Sequence, residues 1–211
     1  MKSNLQRIQF FVWGLLLLVI LAIVGAFIWS KMEGGGPPLI VHNDVGRFSL
    51  TNQHHALISE KSLEGQIWIA DVIFTRCPLQ CIRMTKRMRE LQESLSGEKS
   101  VQLVSLTADP KYDSPEVLKA YAQQYAVDQD RWWFLTGPGS EINQLAVTGL
   151  KLAVYENKPE ERTVPADLFV HSTKFVLVDR QGRIRGWFDG EKPESKAEIL
   201  RAVKTLLREP K

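Results

Sequence analysis

An α/β sandwich, a mixed β-sheet flanked by helices, with one membrane-spanning helix ahead of it, is the architecture this sequence predicts. Three observations carry it. Phe10 to Trp29 runs for twenty residues without a charge, enough to fill the hydrocarbon core of a bilayer. From residue 43 onward short apolar strands alternate with helix-period stretches, the pattern of a helix-covered sheet. The strand-to-helix stretch Ile67–Met88 holds both cysteines of the chain, at the carboxyl end of a strand, where open α/β sheets place their chemistry.

The anchor comes first in the chain. Lys2 and Arg7 precede the apolar run, so the positive-inside rule makes residues 1–30 a cytoplasmic tail and transmembrane anchor of the inner membrane, with the rest on the outer face. Trp13 and Trp29 fall near the two interfaces, as an aromatic belt would. The alternative is a cleaved signal peptide, for which Val24-Gly25-Ala26 offers a small-residue site, but the apolar core is longer than such peptides carry. KMEGGGPP (31–38) reads as a flexible and then stiff tether, extended to residue 42. Lys2 and Arg7 supply two of the formal net +3, leaving +1 for everything beyond the anchor. No basic stripe is interleaved with aromatics, so a nucleic-acid partner is not expected.

The globular part is assigned to 43–211. FSLTNQHHALIS reads as two short strands around a polar turn, in which His54 and His55 are incidental, as is His42 in the tether. Ser62–Gly65 is a turn into the central strand, Ile67 to Thr75. That strand breaks at Cys77-Pro78 and gives way to a helix marked by Cys81, Met84, Met88, Leu91 and Leu95, ending near Gly97. Val101–Thr107 is a second buried strand, its apolar continuity suited to a parallel sheet covered on both faces. Ser114 caps the next helix with Pro115 at its first position, and that helix runs to about Tyr125. Arg131–Thr136 is a strand in which Trp132 and Trp133 serve as core and edge-strand packing. Ser140–Thr148 starts another helix, 158–167 is a polar loop or lid, and Ser172–Val178 and Arg183–Asp189 are strands around the turn 179–182. Lys196–Leu207 closes the domain as an amphipathic helix. Strands alternating with helices, then a terminal hairpin and helix, fit a thioredoxin-like sandwich.

The chemistry centres on Cys77 and Cys81. A helix N-terminus favours a thiolate, and Arg76 and Arg83 add positive charge. Three residues separate the sulfurs, one more than in a thioredoxin-type pair. At i and i+4 of a helix the Cβ atoms lie about 5–6 Å apart, wider than the roughly 3.5–4.5 Å a disulfide prefers. Two thiolates bridged by a metal tolerate that gap, so the spacing leans towards metal without excluding redox chemistry. His171, read as standing just before a strand, is the third candidate ligand. Two thiolates and an imidazole make a soft set suited to copper. Asp71 is a carboxylate inside an apolar strand, six residues before Cys77, the offset of a buried Asp in thioredoxins that resembles a proton acceptor. Burial should raise its pKa. Met84 and Met88 continue the apolar stripe and read as core, while Arg83, Lys86, Arg87 and Arg89 form the solvated face of the same helix.

With these residues in place the chain resembles the Sco/SenC family of thioredoxin-like copper-binding proteins. The resemblance rests on Phe74–Cys81 (FTRCPLQC), on Asp109-Pro110 with the helix start at 113–121, and on His171-Ser172-Thr173 followed by Val178–Gly182. It implies that Cys77, Cys81 and His171 bind a copper ion. It further implies that the protein helps assemble the CuA centre of cytochrome c oxidase, with that oxidase's copper subunit or another copper protein as partner. Ile82 stands where many relatives have Pro, and Val170 where many have Asp. On this reading the chain is a membrane-anchored metallochaperone, a binding and transfer protein and not an enzyme in the strict sense. The competing reading is a thiol–disulfide oxidoreductase that uses Cys77 and Cys81 to reduce the cysteines of a metalloprotein partner. A peroxiredoxin is a weaker third, because the Pro and Thr that normally precede its nucleophile do not stand at the required spacing before Cys77.

Overall fold

The structure is a computed structural model that describes residues 2–32, 39–164 and 168–210, without the side chains of 2–9 and 28–32. Residues 33–38 of the predicted tether and 165–167 of the predicted polar loop lie outside this set, as do the side chains of Lys2, Arg7 and Trp29. The chain divides into two units, Met1–Pro37 and Pro38–Lys211. The described residues of the first form one helix, α1 (Lys2–Met32), and its Phe10–Phe27 stretch is long and apolar enough to cross a membrane.

In the second unit the elements are β1 (Ser49–Asn52), β2 (Leu57–Ser59), β3 (Ile67–Ile73), α2 (Gln80–Ser94), β4 (Val101–Thr107), α3 (Pro115–Gln124), β5 (Trp132–Thr136), α4 (Gly139–Asn143), β6 (Val154–Glu156), β7 (Phe169–His171), β8 (Lys174–Val178), β9 (Ile184–Asp189) and α5 (Ser195–Arg208). Seven strands form one sheet in the order β2-β1-β5-β4-β3-β8-β9. β3, β4 and β5 pair in parallel, and β8 and β9 join antiparallel beside β3. Every residue of β3 and β4 is buried, which is why both read as largely apolar runs, broken by Asp71 in β3 and by Gln102, Ser105 and Thr107 in β4. The units β3-α2-β4 and β4-α3-β5 step the same way across the sheet, so their right-handed crossovers put α2 and α3 on one face. A hydrogen bond between Thr85 of α2 and Tyr121 of α3, 2.7 Å, ties the two helices together.

The thioredoxin-like sandwich is therefore the fold, and most of its elements lie where the sequence places them. Ser114 Oγ accepts from Val117 N at 3.4 Å, with Pro115 opening α3, the predicted cap. The Asn52 side chain shapes the β1–β2 turn by accepting from His54 N and Ala56 N, each at 2.9 Å. Two details differ. β5 is not an edge strand, because the β1–β2 hairpin folds back and pairs with it; Trp132 is fully buried and stacks on Phe134 at 5.0 Å. The predicted helix at 140–148 is α4 followed by a π-type turn over Gln144–Gly149.

The third difference concerns His171. It ends its own short strand, β7, which pairs with β6 in a two-stranded sheet apart from the main one. The described part of the predicted polar loop, 158–164, follows β6 and is tightened by Arg162, whose Nε donates to Asn157 O at 2.7 Å. An arginine network ties the other end of the domain. Arg185, with 3% of its side chain exposed, reaches Asp179 at 3.0 Å and Glu209 at 2.6 Å. Its Nη2 also donates to Leu39 O at 2.8 Å, holding the chain where it enters the domain.

Candidate metal centre

β3 delivers the chain to the top of the sheet, and a turn over Phe74–Cys77 hands it to α2, with Cys77 N donating to Phe74 O at 3.2 Å. The helix cap is Leu79, whose side chain offers no acceptor. Cys77 Sγ does that work, accepting from Cys81 N, the second residue of the helix, at 3.4 Å. Cys77 therefore lies before the helix and not on it. The i,i+4 helical separation expected from sequence does not apply to this pair, because only Cys81 has helical backbone. Cys81 Sγ accepts in turn from Phe74 N at 3.4 Å, so each sulfur faces one backbone N–H.

β7 brings the third ligand atom from ninety positions away. His171 Nε2 lies 3.1 Å from Cys81 Sγ, and Nδ1 lies 3.1 Å from Ser172 O. A carbonyl oxygen only accepts, so Nδ1 carries a proton, and Nε2 is the ring nitrogen that faces the sulfurs. That orientation by a backbone carbonyl is the usual outer support of a metal-binding imidazole. Phe74 steadies the ring edge-on at 5.7 Å. The ligand atoms of Cys77, Cys81 and His171 all lie within 4.8 Å of one another, and all three residues are buried, Cys77 with 5% exposed and Cys81 with none. The three residues that the sequence singles out are thus brought together in space.

The two thiols are free and share one proton unequally. The hydrogen bond from Cys81 pulls the Cys77 pKa well down against burial, with a further contribution from His171. The same contact with Cys77, then burial, pushes the Cys81 thiol up. Cys77 is the thiolate of the pair and Cys81 keeps the proton. A cation arriving at the site would displace that proton.

Asp71 is fully buried, and its pKa is raised to about 7 by desolvation. The β3–β4 register sets Asp71 directly opposite Ser105, whose Oγ donates to Oδ1 at 2.5 Å, while Oδ2 has no partner. Ser105 Oγ also accepts from Trp132 Nε1 at 2.9 Å. Met84 and Met88 have no exposure and belong to the core. Arg83 is on the solvated face, paired with Glu191 at 2.7 Å. Thr75, Asp109 and Asp113, which the sequence offers only as part of the family resemblance, and Thr107, which it does not single out, surround the turn before Cys77; a buried polar cluster of this kind leaves no periodic trace. A hollow of about 880 Å³ lies at the other end of β3 beside Gly65, Trp68 and Arg180, away from the sulfur chemistry.

Comparison with known proteins agrees with the geometry. Residues 41–208 match the family model described as SCO1/SenC. The SCO1 protein homolog of Bacillus subtilis is 35% identical over 164 residues, covering 77% of this chain and 82% of that protein. The structure of BsSco, described as a Sco-family cytochrome c oxidase assembly protein with a disulfide switch, aligns with a TM-score of 0.69 at 32% identity over 82% of this chain and 98% of that one. Yeast Sco1 with copper bound aligns with a TM-score of 0.62 at 25% identity, over 76% and 88% of the two chains.

Proposed function

The chain belongs to the SCO1/SenC family, and from that premise we propose that it binds a copper ion through Cys77, Cys81 and His171 and passes it to a partner copper protein. One observation carries the reading: two sulfurs and an imidazole nitrogen, drawn from the head of α2 and from β7, converge within 4.8 Å inside a buried pocket. Soft thiolates with one imidazole favour copper over harder cations. The Cys77 thiolate is the natural point of exchange, since it is the deprotonated sulfur and the less buried of the two. Transfer proceeds by ligand exchange, a partner thiolate replacing one protein ligand at a time. The partner is the copper subunit of cytochrome c oxidase at its CuA centre, or another copper protein of the same class. The chain is held at the inner membrane by α1, with the copper-binding domain on the outer face.

A second reading is favoured by the low Cys77 pKa and by the disulfide switch described for BsSco. In it the same dithiol reduces a partner's cysteines, with Asp71 as proton acceptor. Copper uptake separates the two. The full-length chain in detergent should take up one copper per chain, with a thiolate-to-copper absorption band that is lost in Cys77→Ser and in Cys81→Ser. Uptake that survives both substitutions would refute the copper reading.

A further inference from the structure

β3 ends at Ile73, and the chain must turn within four residues to deliver Cys77 to the head of α2. The loop after β4 holds that turn with two buried carboxylates. Asp113 accepts from the backbone N of Thr75 at 3.1 Å, and from the hydroxyls of Thr75 and Thr107. Asp109 accepts from Arg76 Nε at 3.1 Å and from its Nη2, and the guanidinium lies 4.3 Å over the Tyr112 ring. The carboxylates are themselves fixed. Thr107 Oγ1 accepts from Asp109 N, and Asp113 N donates to Asp109 O, each at 2.9 Å. Both residues immediately before Cys77 are therefore fastened to one loop. None of the hydrogen bonds described runs from Asp113 to Cys77, Cys81 or His171.

Building on the copper reading above, we propose that Asp113 is a positioning residue for the metal centre, acting through Thr75 on where Cys77 Sγ stands relative to Cys81 and His171. Its three donors converge on a carboxylate with no exposure, so the contacts are shielded from water and hold their geometry. The demand is strict, because a site must be held to within about 0.5 Å to perform. Cys81 is placed by α2 and His171 by β7, while Cys77 lies outside any regular element, its backbone set by the turn and its sulfur held only by the Cys81 N–H that it caps. Truncating Asp113 leaves Thr75 N without its acceptor and frees the turn, with little change to either of the other ligands.

The test compares full-length chains in detergent: wild type, Asp113→Ala, Asp113→Asn, Thr75→Val, and Ile58→Ala in the far edge strand β2 as a stability control. Three quantities are read: copper(I) affinity by competition with a chromophoric chelator, the thiolate-to-copper(II) absorption band, and the alkylation rate of Cys77 by iodoacetamide without copper. Supporting groups of this kind are worth about 10- to 100-fold in metal affinity. Asp113→Ala should lose affinity within that range, shift the band and change the alkylation rate. Thr75→Val should do the same to a smaller degree, and it decides the matter if Asp113→Ala does not fold. Asp113→Asn keeps an acceptor in place and should restore most of the wild-type behaviour, while Ile58→Ala should lower the melting temperature and leave all three readings alone. Wild-type readings in Asp113→Ala, or equal changes in Ile58→Ala, overturn the proposal. If the wild-type chain itself takes up no Cys77-dependent copper, the copper reading fails separately. The copper-free alkylation rates then decide: a changed rate in Asp113→Ala upholds the positioning role and an unchanged one refutes it.

Discussion

Replacing Asp71 with Asn removes a proton-binding group from the middle of a fully buried strand. In the folded chain burial raises the Asp71 pKa from its ordinary 3.8 to about 7. A group whose pKa is raised by folding supports stability fully below its unfolded value, and that support is lost as pH rises through the folded value. For Asp71 the loss runs from about pH 4 to about pH 7, and above that the folded state carries the whole cost of a buried charge. One pKa unit is worth about 1.36 kcal/mol. Between pH 5 and pH 8 the stability of Asp71→Asn should therefore gain on wild type by about 2–3 kcal/mol. Urea unfolding of both chains across that range, copper-free and reduced, gives the difference directly, since titrations common to the two cancel. The same variant should slow thiol–disulfide exchange near neutral pH and leave copper affinity nearly intact. A stability difference that stays flat from pH 5 to pH 8 would refute the raised pKa. Unchanged exchange would make Asp71 a structural group only.

Arg185→Ala should destabilise the domain by about 1–3 kcal/mol in urea unfolding, because it removes the buried cation that Asp179 and Glu209 share and leaves Asp179 to Arg183 alone; no measurable loss would show that Arg183 and water replace the guanidinium. The Phe10–Phe27 helix should keep the chain in the membrane pellet through an alkaline carbonate wash and leave the domain open to protease from the outer face. Recovery of a soluble chain with a shortened N-terminus would mean a cleaved leader instead.

How much of this was legible before the structure depends on how local each feature is. The largely apolar runs of β3 and β4 announce buried parallel strands, and Ser114-Pro115 marks its helix start by chemistry confined to four residues. Asp71 stands out because a carboxylate contradicts its neighbours, and the strand register then supplies the reason it is tolerated, Ser105 directly opposite. The β6–β7 hairpin escaped notice because two three-residue strands, twelve residues apart, carry too few positions to show alternation. That is why His171 read as the start of the following strand. The relation of the two cysteines was misjudged for a similar reason. Their spacing matches a helical step, yet the helix begins only at Gln80, and Cys77 serves it as a cap from outside. Asp113, Thr75 and Thr107 converge from three separate segments, and Arg185 is buried by a chain entry and a chain end. Neither arrangement has any signature in a window of sequence.

The most direct test of the central claim compares the full-length chain with its His171→Ala variant. A dithiol reductase needs only Cys77 and Cys81, whereas a copper site also needs the imidazole. The account predicts that His171→Ala lowers copper affinity by at least about tenfold, or about 1.4 kcal/mol. It also predicts that copper raises the melting temperature of the wild type far more than that of the variant, and that the reduction potential of the dithiol moves much less. Copper affinity equal to wild type, alongside altered thiol exchange, would contradict the metallochaperone reading and favour the oxidoreductase.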